Sequence, residues 1–401
     1  MSTKVGIGWS ENHDSFQAGR EAATAALENA ALSKSDLLLV FSTSKHDPVA
    51  LHQGLREVVG NTPRIIGGYG IGVLTNRELG YDGYQVGVAA LASSAQIDLF
   101  LEQGLPDNEF AVGQALGRQI ATQDYNGDPN IILMYDSMNL TTAQPKMNMA
   151  TPLIQGLKES FPVWPPCAGI GLTGDTPSVP VVQWFDDEIT GQCAQALVFS
   201  GGLRMDTVVM HGCKPAGSYH TITKSDGPVV LEIDNRPAVE VIAELLGPDS
   251  GYSWEDYRFF VTLGVNKGDK FGPFREEDYA NRLCCGVDKE RGGLVMFEPD
   301  LTPGTEVQLM RRSVDFGYIG QRTNDLLKQL GGRKPVFALY IDCAGRASAY
   351  CGSEGEEASE VQRAIGDIPL LGLYCGVEVA RVGRDLQPLD WSGVLCVWSE
   401  A

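Results

Sequence analysis

The order of secondary-structure signals in this chain repeats three times, and this repetition constrains the fold more than any other feature. Each copy is predicted to contain a helix, an apolar strand, a second helix, a glycine-rich strand and closing strands. The copies span residues 15–94, 109–202 and 313–401. Their apolar strands are continuous apolar runs, which is typical of strands covered on both faces. The repeat therefore predicts layered α/β sheets built from helix–strand–helix–strand–strand units.

The repeat also suggests a division into two domains near residue 202. Residues 1–202 hold the first two copies, and residues 203–401 hold a divergent segment, 203–312, followed by the third copy. Within the divergent segment, a helix is predicted to begin at Pro237 and end at Gly247, since proline favours a first helical turn and glycine a helix end. We interpret this segment either as an insert or as a fourth, eroded copy.

Charge and cysteine usage argue against several partner classes. The chain carries 31 Lys and Arg against 51 Asp and Glu, a net charge of −20 at pH 7. Nucleic acids and anionic membrane surfaces both need concentrated positive charge, so neither is expected as a partner. Apolar runs fall well short of the roughly 18 residues that a membrane-spanning helix needs. The nine cysteines contain no Cys-x-x-Cys pair, and we interpret them as buried reduced thiols of a cytoplasmic protein.

Polar residues follow the central strand of every copy. Ligands of open α/β sheets sit at the carboxyl ends of the strands, so we expect a small-molecule site there. Asp136 and Asp342 fall at matching places of the second and third copies, and the guanidinium of Arg346 suits a carboxylate. The candidate ligand-binding residues are Ser42, His46, Asp136, Asn139, Asp342, Cys343, Arg346 and Glu378.

Other interpretations of these residues stay open. A strand-end aspartate also caps the following helix in many proteins. The glycine-rich segments are interpreted as sites of close backbone approach within strands, because no phosphate-loop motif accompanies them. Cys343 ends a strand near Arg346, whose charge would lower a thiol pKa, so a thiol-dependent enzyme is an alternative. No histidine is placed as its base, so no catalytic residue is predicted. No metal site is predicted either, because the cysteines and histidines lack the spacing of metal ligands.

At these residues the chain resembles the FIST family, with its N-terminal and C-terminal FIST domains, over nearly its whole length. The resemblance rests on the order and spacing of several segments. These are residues 37–42, 63–72, 214–217, 221–223, 231–238, 342–346 and 372–378. Where the family commonly has Gly-Glu after the last glycine-rich strand, this chain has Gly376-Val377-Glu378.

The resemblance implies a function that the residues alone do not. It implies a non-catalytic intracellular sensor that binds a small molecule such as an amino acid and signals to a separate partner protein. Arg346 would hold the ligand carboxylate, and Asp342, Asp136 or Glu378 its amine. Some stand-alone members are haem proteins that sense nitric oxide and report to a histidine kinase. This implies, as an alternative, a non-covalent haem with His46 or His211 as its axial ligand.

Overall fold

The computed structural model describes residues 2–142, 145–175, 179–247, 251, 253–258, 260–313 and 315–400. Helices and strands form layered mixed sheets, which confirms the predicted α/β class. The helices are α1 (Ser15–Asn29), α2 (Pro48–Val59), α3 (Glu109–Ala121), α4 (Ala150–Lys158), α5 (Ala238–Leu246), α6 (Gly317–Gln329), α7 (Ser348–Cys351) and α8 (Ala358–Ile365).

The strands of the N-terminal half are β1 (Lys4–Ser10), β2 (Leu37–Ser42), β3 (Arg64–Tyr69), β4 (Gly72–Thr75), β5 (Leu79–Tyr81), β6 (Val86–Ala92), β7 (Gln96–Gln103), β8 (Asn130–Asp136), β9 (Met138–Asn139), β10 (Lys146–Met147), β11 (Cys167–Leu172), β12 (Gln183–Phe185), β13 (Glu188–Thr190) and β14 (Cys193–Ser200). Those of the C-terminal half are β15 (Leu203–Met210), β16 (Cys213–Pro215), β17 (His220–Asp226), β18 (Val229–Ile233), β19 (Arg236–Pro237), β20 (Thr262–Asn266), β21 (Tyr279–Asp288), β22 (Gly293–Met296), β23 (Glu306–Arg312), β24 (Pro335–Cys343), β25 (Leu370–Cys375), β26 (Val377–Val382), β27 (Asp385–Leu389) and β28 (Gly393–Glu400).

Three six-stranded sheets share one arrangement. Sheet 1 has the order β1-β6-β2-β3-β12-β13, sheet 2 the order β7-β14-β8-β11-β26-β27, and sheet 3 the order β15-β28-β24-β25-β4-β5. In each, a central strand (β2, β8 or β24) has one antiparallel neighbour and one parallel neighbour, the glycine-rich strand. The inner faces of all three sheets pack into one central core, which includes Leu39, Ile132 and Leu339. Helix pairs cover the outer faces.

Each sheet is completed by a hairpin from another part of the chain. The β12–β13 hairpin pairs with β3 of sheet 1, the β26–β27 hairpin with β11 of sheet 2, and the β4–β5 hairpin with β25 of sheet 3. The three sheets are therefore interlocked in a cycle, and separating them would break backbone hydrogen bonds as well as the common core.

The glycine-rich strands allow close backbone approach, as predicted. A Cβ on Gly67 would lie 1.8 Å from the carbonyl oxygen of Val40, and the φ of Gly67 is 151°, a value that other residues rarely adopt. A Cβ on Gly372 would lie 2.6 Å from the carbonyl oxygen of Tyr340. Because glycine has no side chain, the two parallel strands can pair at these positions without a clash between a Cβ and the carbonyl oxygen of the neighbouring strand.

Helices α1, α2 and α3 begin at side-chain caps, whereas α4 does not. Asp14, Asp47 and Asn108 each accept a backbone N–H of the helix that follows. The N-terminus of α4 instead donates to a distant residue, Glu298, whose carboxylate accepts the N–H groups of Ala150 at 3.0 Å and of Thr151 at 2.9 Å. This carboxylate ties the divergent segment to the second copy.

The divergent segment forms an antiparallel barrel from residue 213 onward, whereas its first strand, β15, pairs with β28 in sheet 3. Its strands pair in the order β23-β17-β18-β22-β21-β20, and β20 pairs back onto β23 to close the barrel. The segment has none of the parallel strand pairing that marks the three sheets, so the alternative of a fourth copy is wrong within the described residues. Helix α5 packs on this barrel and ends at Gly247, as predicted. The division near residue 202 stays a prediction.

Among the described residues, none of the helices has both the length and the apolar composition that crossing a membrane requires.

Candidate functional site

A cavity of about 660 Å³ lies beside the carboxyl ends of β24 and β25. Cys343 and Cys375 line it from sheet 3, and Ile71 lines it just after β3. Leu283 and Phe297 contribute the wall on the side of the barrel. A cavity of this size and position is of the kind that holds a small molecule.

Four aromatic side chains line this cavity within the described part of the chain. Phe297 and Trp391 line it, and Phe260 and Tyr350, which are 43% and 50% exposed, stand at its opening. The hydroxyl of Tyr350 donates to Asp82 at 3.3 Å, which ties the opening to the first copy. A flat apolar ligand would find ring faces and edges on several sides.

Trp391 is held in an unfavourable backbone conformation next to the cavity. Its φ is 54°, in the left-handed region that costs a bulky residue about 1–3 kcal/mol. Its indole Nε1 donates to the carbonyl oxygen of Gly345 at 3.2 Å, and the guanidinium of Arg312 lies 4.5 Å from its ring. These contacts hold the indole in place. Backbone strain like that of Trp391 is concentrated at functional sites.

Asp390 places a carboxylate at the cavity wall. Its Oδ2 accepts the backbone N–H of Leu283 at 2.8 Å, while Oδ1 has no hydrogen-bond partner among the described residues. Burial raises the pKa of Asp390 to about 6, and the nearby charge of Arg282 opposes this rise. The group is therefore ionised for the most part at neutral pH, with one oxygen available to a ligand.

Arg346 lies behind this wall and is fully buried. Its Nε is 2.8 Å from Oδ1 of Asp342, and its Nη2 is 2.6 Å from Oε2 of Glu357. Nη1 donates to the carbonyl oxygen of Trp391 at 3.4 Å. The guanidinium is thus engaged within the protein, and Arg346 does not line the cavity.

Cys343 is the one predicted ligand-binding residue that lines the cavity. Burial, together with the nearby Glu378 carboxyl, raises its pKa well above the usual range. The expected lowering by Arg346 is wrong, because the Arg346 charge is matched by Asp342 and Glu357. Glu378 accepts the backbone N–H of Ser392 at 3.2 Å, and burial raises the pKa of this carboxyl well above its usual range.

The other predicted residues are buried elsewhere. The hydroxyl of Ser42 donates to the carbonyl oxygen of Thr43 at 3.1 Å. The side-chain oxygen of Asn139 accepts from the backbone N–H and the hydroxyl of Thr141 at 2.9 and 2.7 Å. Asp136 accepts from Nε2 of Gln183 at 2.8 Å, and burial raises its pKa to about 7. Neither Ser42, Asn139 nor Asp136 lines the cavity.

The expected match between Asp136 and Asp342 is wrong by one residue. Asp342 pairs with Tyr374 in sheet 3, and the residue of sheet 2 with the matching register is Tyr135, opposite Gly171. Because side chains alternate between the faces of a strand, this single step places Asp136 on the inner face and Asp342 on the helix-covered face.

The two histidines considered for haem do not fit the role of axial ligand. Nδ1 of His46 lies 3.2 Å from the Ser15 hydroxyl, and its Nε2 lies 3.0 Å from the carbonyl oxygen of Tyr84. Nδ1 of His211 accepts the N–H of Cys213 at 2.9 Å, and its Nε2 lies 3.1 Å from the carbonyl oxygen of Glu276. Both rings therefore have both nitrogens bonded, and neither ring lines the cavity.

Asp390 and Trp391 are not among the residues predicted from the sequence, because the prediction considered the ends of the central and glycine-rich strands and not the turn before the last strand. Strand β28 runs antiparallel to β24, and Gly393 pairs with Asp342. The residues just before β28 therefore reach the same sheet edge as the end of β24. The polar and aromatic turn before the last apolar strand was the available signal.

The fold and the cavity define a class: an α/β protein of three interlocked sheets and a barrel, with a cavity of small-molecule size between them. The chain belongs to the FIST family. The FIST N domain matches residues 36–236, and the FIST C domain matches residues 238–381. FIST domains are sensory domains in signal transduction.

Curated relatives are distant. An uncharacterized protein of Mycobacterium bovis is 26% identical over 192 residues, which cover 46% of this chain and 48% of that protein. An uncharacterized protein of Methanocaldococcus jannaschii is 23% identical over 167 residues, which cover 41% of this chain and 32% of that protein. The chain spans about half the length, or less, of the curated relatives it matches.

Solved structures resemble this fold only weakly. A cyanuric acid hydrolase from A. caulinodans aligns over 100% of this chain and 99% of its own, with a TM-score of 0.37 and 11% identity. A second cyanuric acid hydrolase structure aligns over 100% of both chains with a TM-score of 0.32 and 8% identity. These scores are too low to carry an argument about activity.

Proposed function

We propose that this protein is a non-catalytic small-molecule sensor whose ligand occupies the cavity beside Cys343 and Trp391. The observation that carries the proposal is the cavity itself: it has the size of a ligand site, and the strained residue Trp391 is fixed at its edge. The sensory role of FIST domains supports the same conclusion.

The position of the cavity supports a way to transmit binding. A ligand would touch Cys343 on sheet 3 and Phe297 on the barrel at the same time. Phe297 precedes Glu298, whose carboxylate caps α4 in the second copy. A shift of Phe297 on binding would therefore displace the Glu298 carboxylate and change its hydrogen bonds to the N-terminus of α4. A separate signalling protein, such as a histidine kinase, would read that change.

The proposal is tested by measuring whether the protein binds any member of a panel of small molecules that includes the amino acids. Binding is followed by thermal shift and calorimetry in the wild-type protein and in Ala344→Leu, which adds three carbons to the cavity wall. Ala349→Leu is the matched control, because Ala349 is exposed in the same segment. We expect binding by the wild type and the control, and its loss in Ala344→Leu. Equal binding by all three proteins would place the ligand elsewhere.

A further inference from the structure

We infer that the ligand of this cavity is a cation with an aromatic ring and no carboxylate, either an alkylamine that carries the ring or a protonated heteroaromatic base. The inference rests on the proposed function and narrows it. The arrangement of charges around the cavity carries it, together with the aromatic walls.

A ligand carboxylate would find no cationic partner in the cavity. None of the lining residues in the described ranges is Lys, Arg or His. Three guanidinium groups behind this wall are engaged in ion pairs: Arg346 with Asp342 and Glu357, Arg312 with Glu357, and Arg282 with Asp300. Taking an ionised carboxylate out of water without a partner is strongly unfavourable.

A ligand cation would find a carboxylate that has no cation of its own. The charged groups around this wall include the guanidinium groups of Arg282, Arg312 and Arg346, and they are outnumbered by the carboxyl groups of Asp300, Asp342, Glu357, Asp390, Glu378 and Glu298. Asp390 is the member that lines the cavity, and its Oδ1 has no hydrogen-bond partner among the described residues. An ammonium group or a ring N–H of a ligand would donate a charge-assisted hydrogen bond to Oδ1 of Asp390.

The aromatic residues that line the cavity favour a ligand with a flat aromatic ring. Phe297 and Trp391 present aromatic surface inside, and Phe260 and Tyr350 do so at the opening. The indole of Trp391 is fixed by Gly345 and Arg312, so its surface is offered in one orientation. A rigid wall of this kind lowers the entropy that binding would otherwise cost.

Matched ligand pairs test the inference in the wild-type protein. Tryptamine is compared with tryptophan, and phenethylamine with phenylalanine, because each pair differs only by a carboxylate. Calorimetry at pH 7.5 is expected to give the amine a dissociation constant at least about tenfold lower than that of the amino acid. Equal or tighter binding of the amino acids would overturn the inference.

A variant tests the role of Asp390 independently. Asp390→Asn keeps an acceptor for the Leu283 N–H but removes the charge. It is expected to weaken the binding of tryptamine about tenfold, and to weaken the binding of toluene, which has neither a charge nor an N–H, much less. Asp385→Asn, on the exposed start of β27, is the control. Unchanged tryptamine affinity in Asp390→Asn would overturn the inference. If Asp390→Asn does not fold, the comparison of each amine with its amino acid in the wild-type protein tests the inference alone.

The ligand class and the assignment of the cavity as the ligand site can be overturned separately. Amino acids that bind better than amines, and lose binding in Ala344→Leu, would remove the ligand class and leave the sensor cavity in place. If no amine, amino acid or neutral ring binds the wild type, both the ligand class and the cavity assignment are overturned.

Discussion

Arg346 and Asp342 form an ion pair with 2.8 Å between Nε and Oδ1, and neither side chain has any exposed surface. Glu357 forms a second ion pair with Arg346, at Nη2 of its guanidinium. The three groups lie beneath the cavity wall, so their role in this structure is to hold the end of β24 against the segment that carries α7 and α8.

Arg346→Ala is expected to destabilise the protein by about 3–5 kcal/mol, because it leaves the buried carboxylates of Asp342 and Glu357 without their partner. Arg363→Ala is the control, since Arg363 pairs with Glu360 at the surface, where the change should stay below about 1 kcal/mol. Urea unfolding measures both. A loss below about 1 kcal/mol for Arg346→Ala would show that the buried network does not stabilise this edge.

Asp136 predicts a particular dependence of stability on pH. Its pKa is about 7 in the folded protein, against an ordinary value of 3.8, because burial disfavours the charged form. The folded state therefore binds the proton more tightly, and its contribution to stability is largest in acid and declines as the pH rises from about 4 to about 7. The difference between the two pKa values corresponds to at most about 4 kcal/mol.

Asp136→Asn should flatten this decline, because the amide has no proton to lose. Urea unfolding at pH 4.5 and at pH 7.5 measures the difference for the wild type and the variant. Asp124→Asn, at an exposed position, should keep the wild-type slope. A variant slope equal to that of the wild type would mean that Asp136 does not titrate in this range.

Glu298→Ala is expected to cost about 1–3 kcal/mol, because the N–H groups of Ala150 and Thr151 lose their shared acceptor inside the protein. The exposed Glu290→Ala is the control. Hydrogen exchange should show faster exchange in the first turn of α4 in Glu298→Ala alone. Unchanged exchange at Ala150 and Thr151 would contradict the capping role.

Cys343 is expected to react slowly with iodoacetamide at pH 7.5, because burial and the Glu378 carboxyl raise the pKa of its thiol. Peptide mass spectrometry compares its labelling rate with that of the same site after denaturation, which serves as the internal control. Fast labelling of Cys343 in the native protein would restore the alternative of a thiol-dependent enzyme.

Local features of this fold could be predicted from the sequence, whereas distant pairings could not. Helix α5 ends at Gly247 and Gly67 allows close backbone contact, since both depend on the absence of a side chain at a single glycine. The pairing of β4 with β25 joins residues about 300 positions apart. The periodicity of a strand specifies which of its faces is buried, and does not specify the sheet edge that it joins.

The candidate site shows the same limit. Cys343 ends the strand β24; the sequence predicts it near a ligand, and it lines the cavity. Arg346, three residues on, was expected to bind the ligand but turns inward to Asp342. Asp390 and Phe297 reach the cavity from a turn and from the barrel, and their meeting depends on packing between parts of the chain that are distant in sequence.

The central claim is that the cavity beside Trp391 is the ligand site, and a crystal structure of the protein with the tightest ligand of the panel tests it most directly. We predict electron density for the ligand between Trp391 and Phe297, within hydrogen-bond distance of Oδ1 of Asp390. Density for the ligand at another position, with this cavity filled only by water, would contradict it.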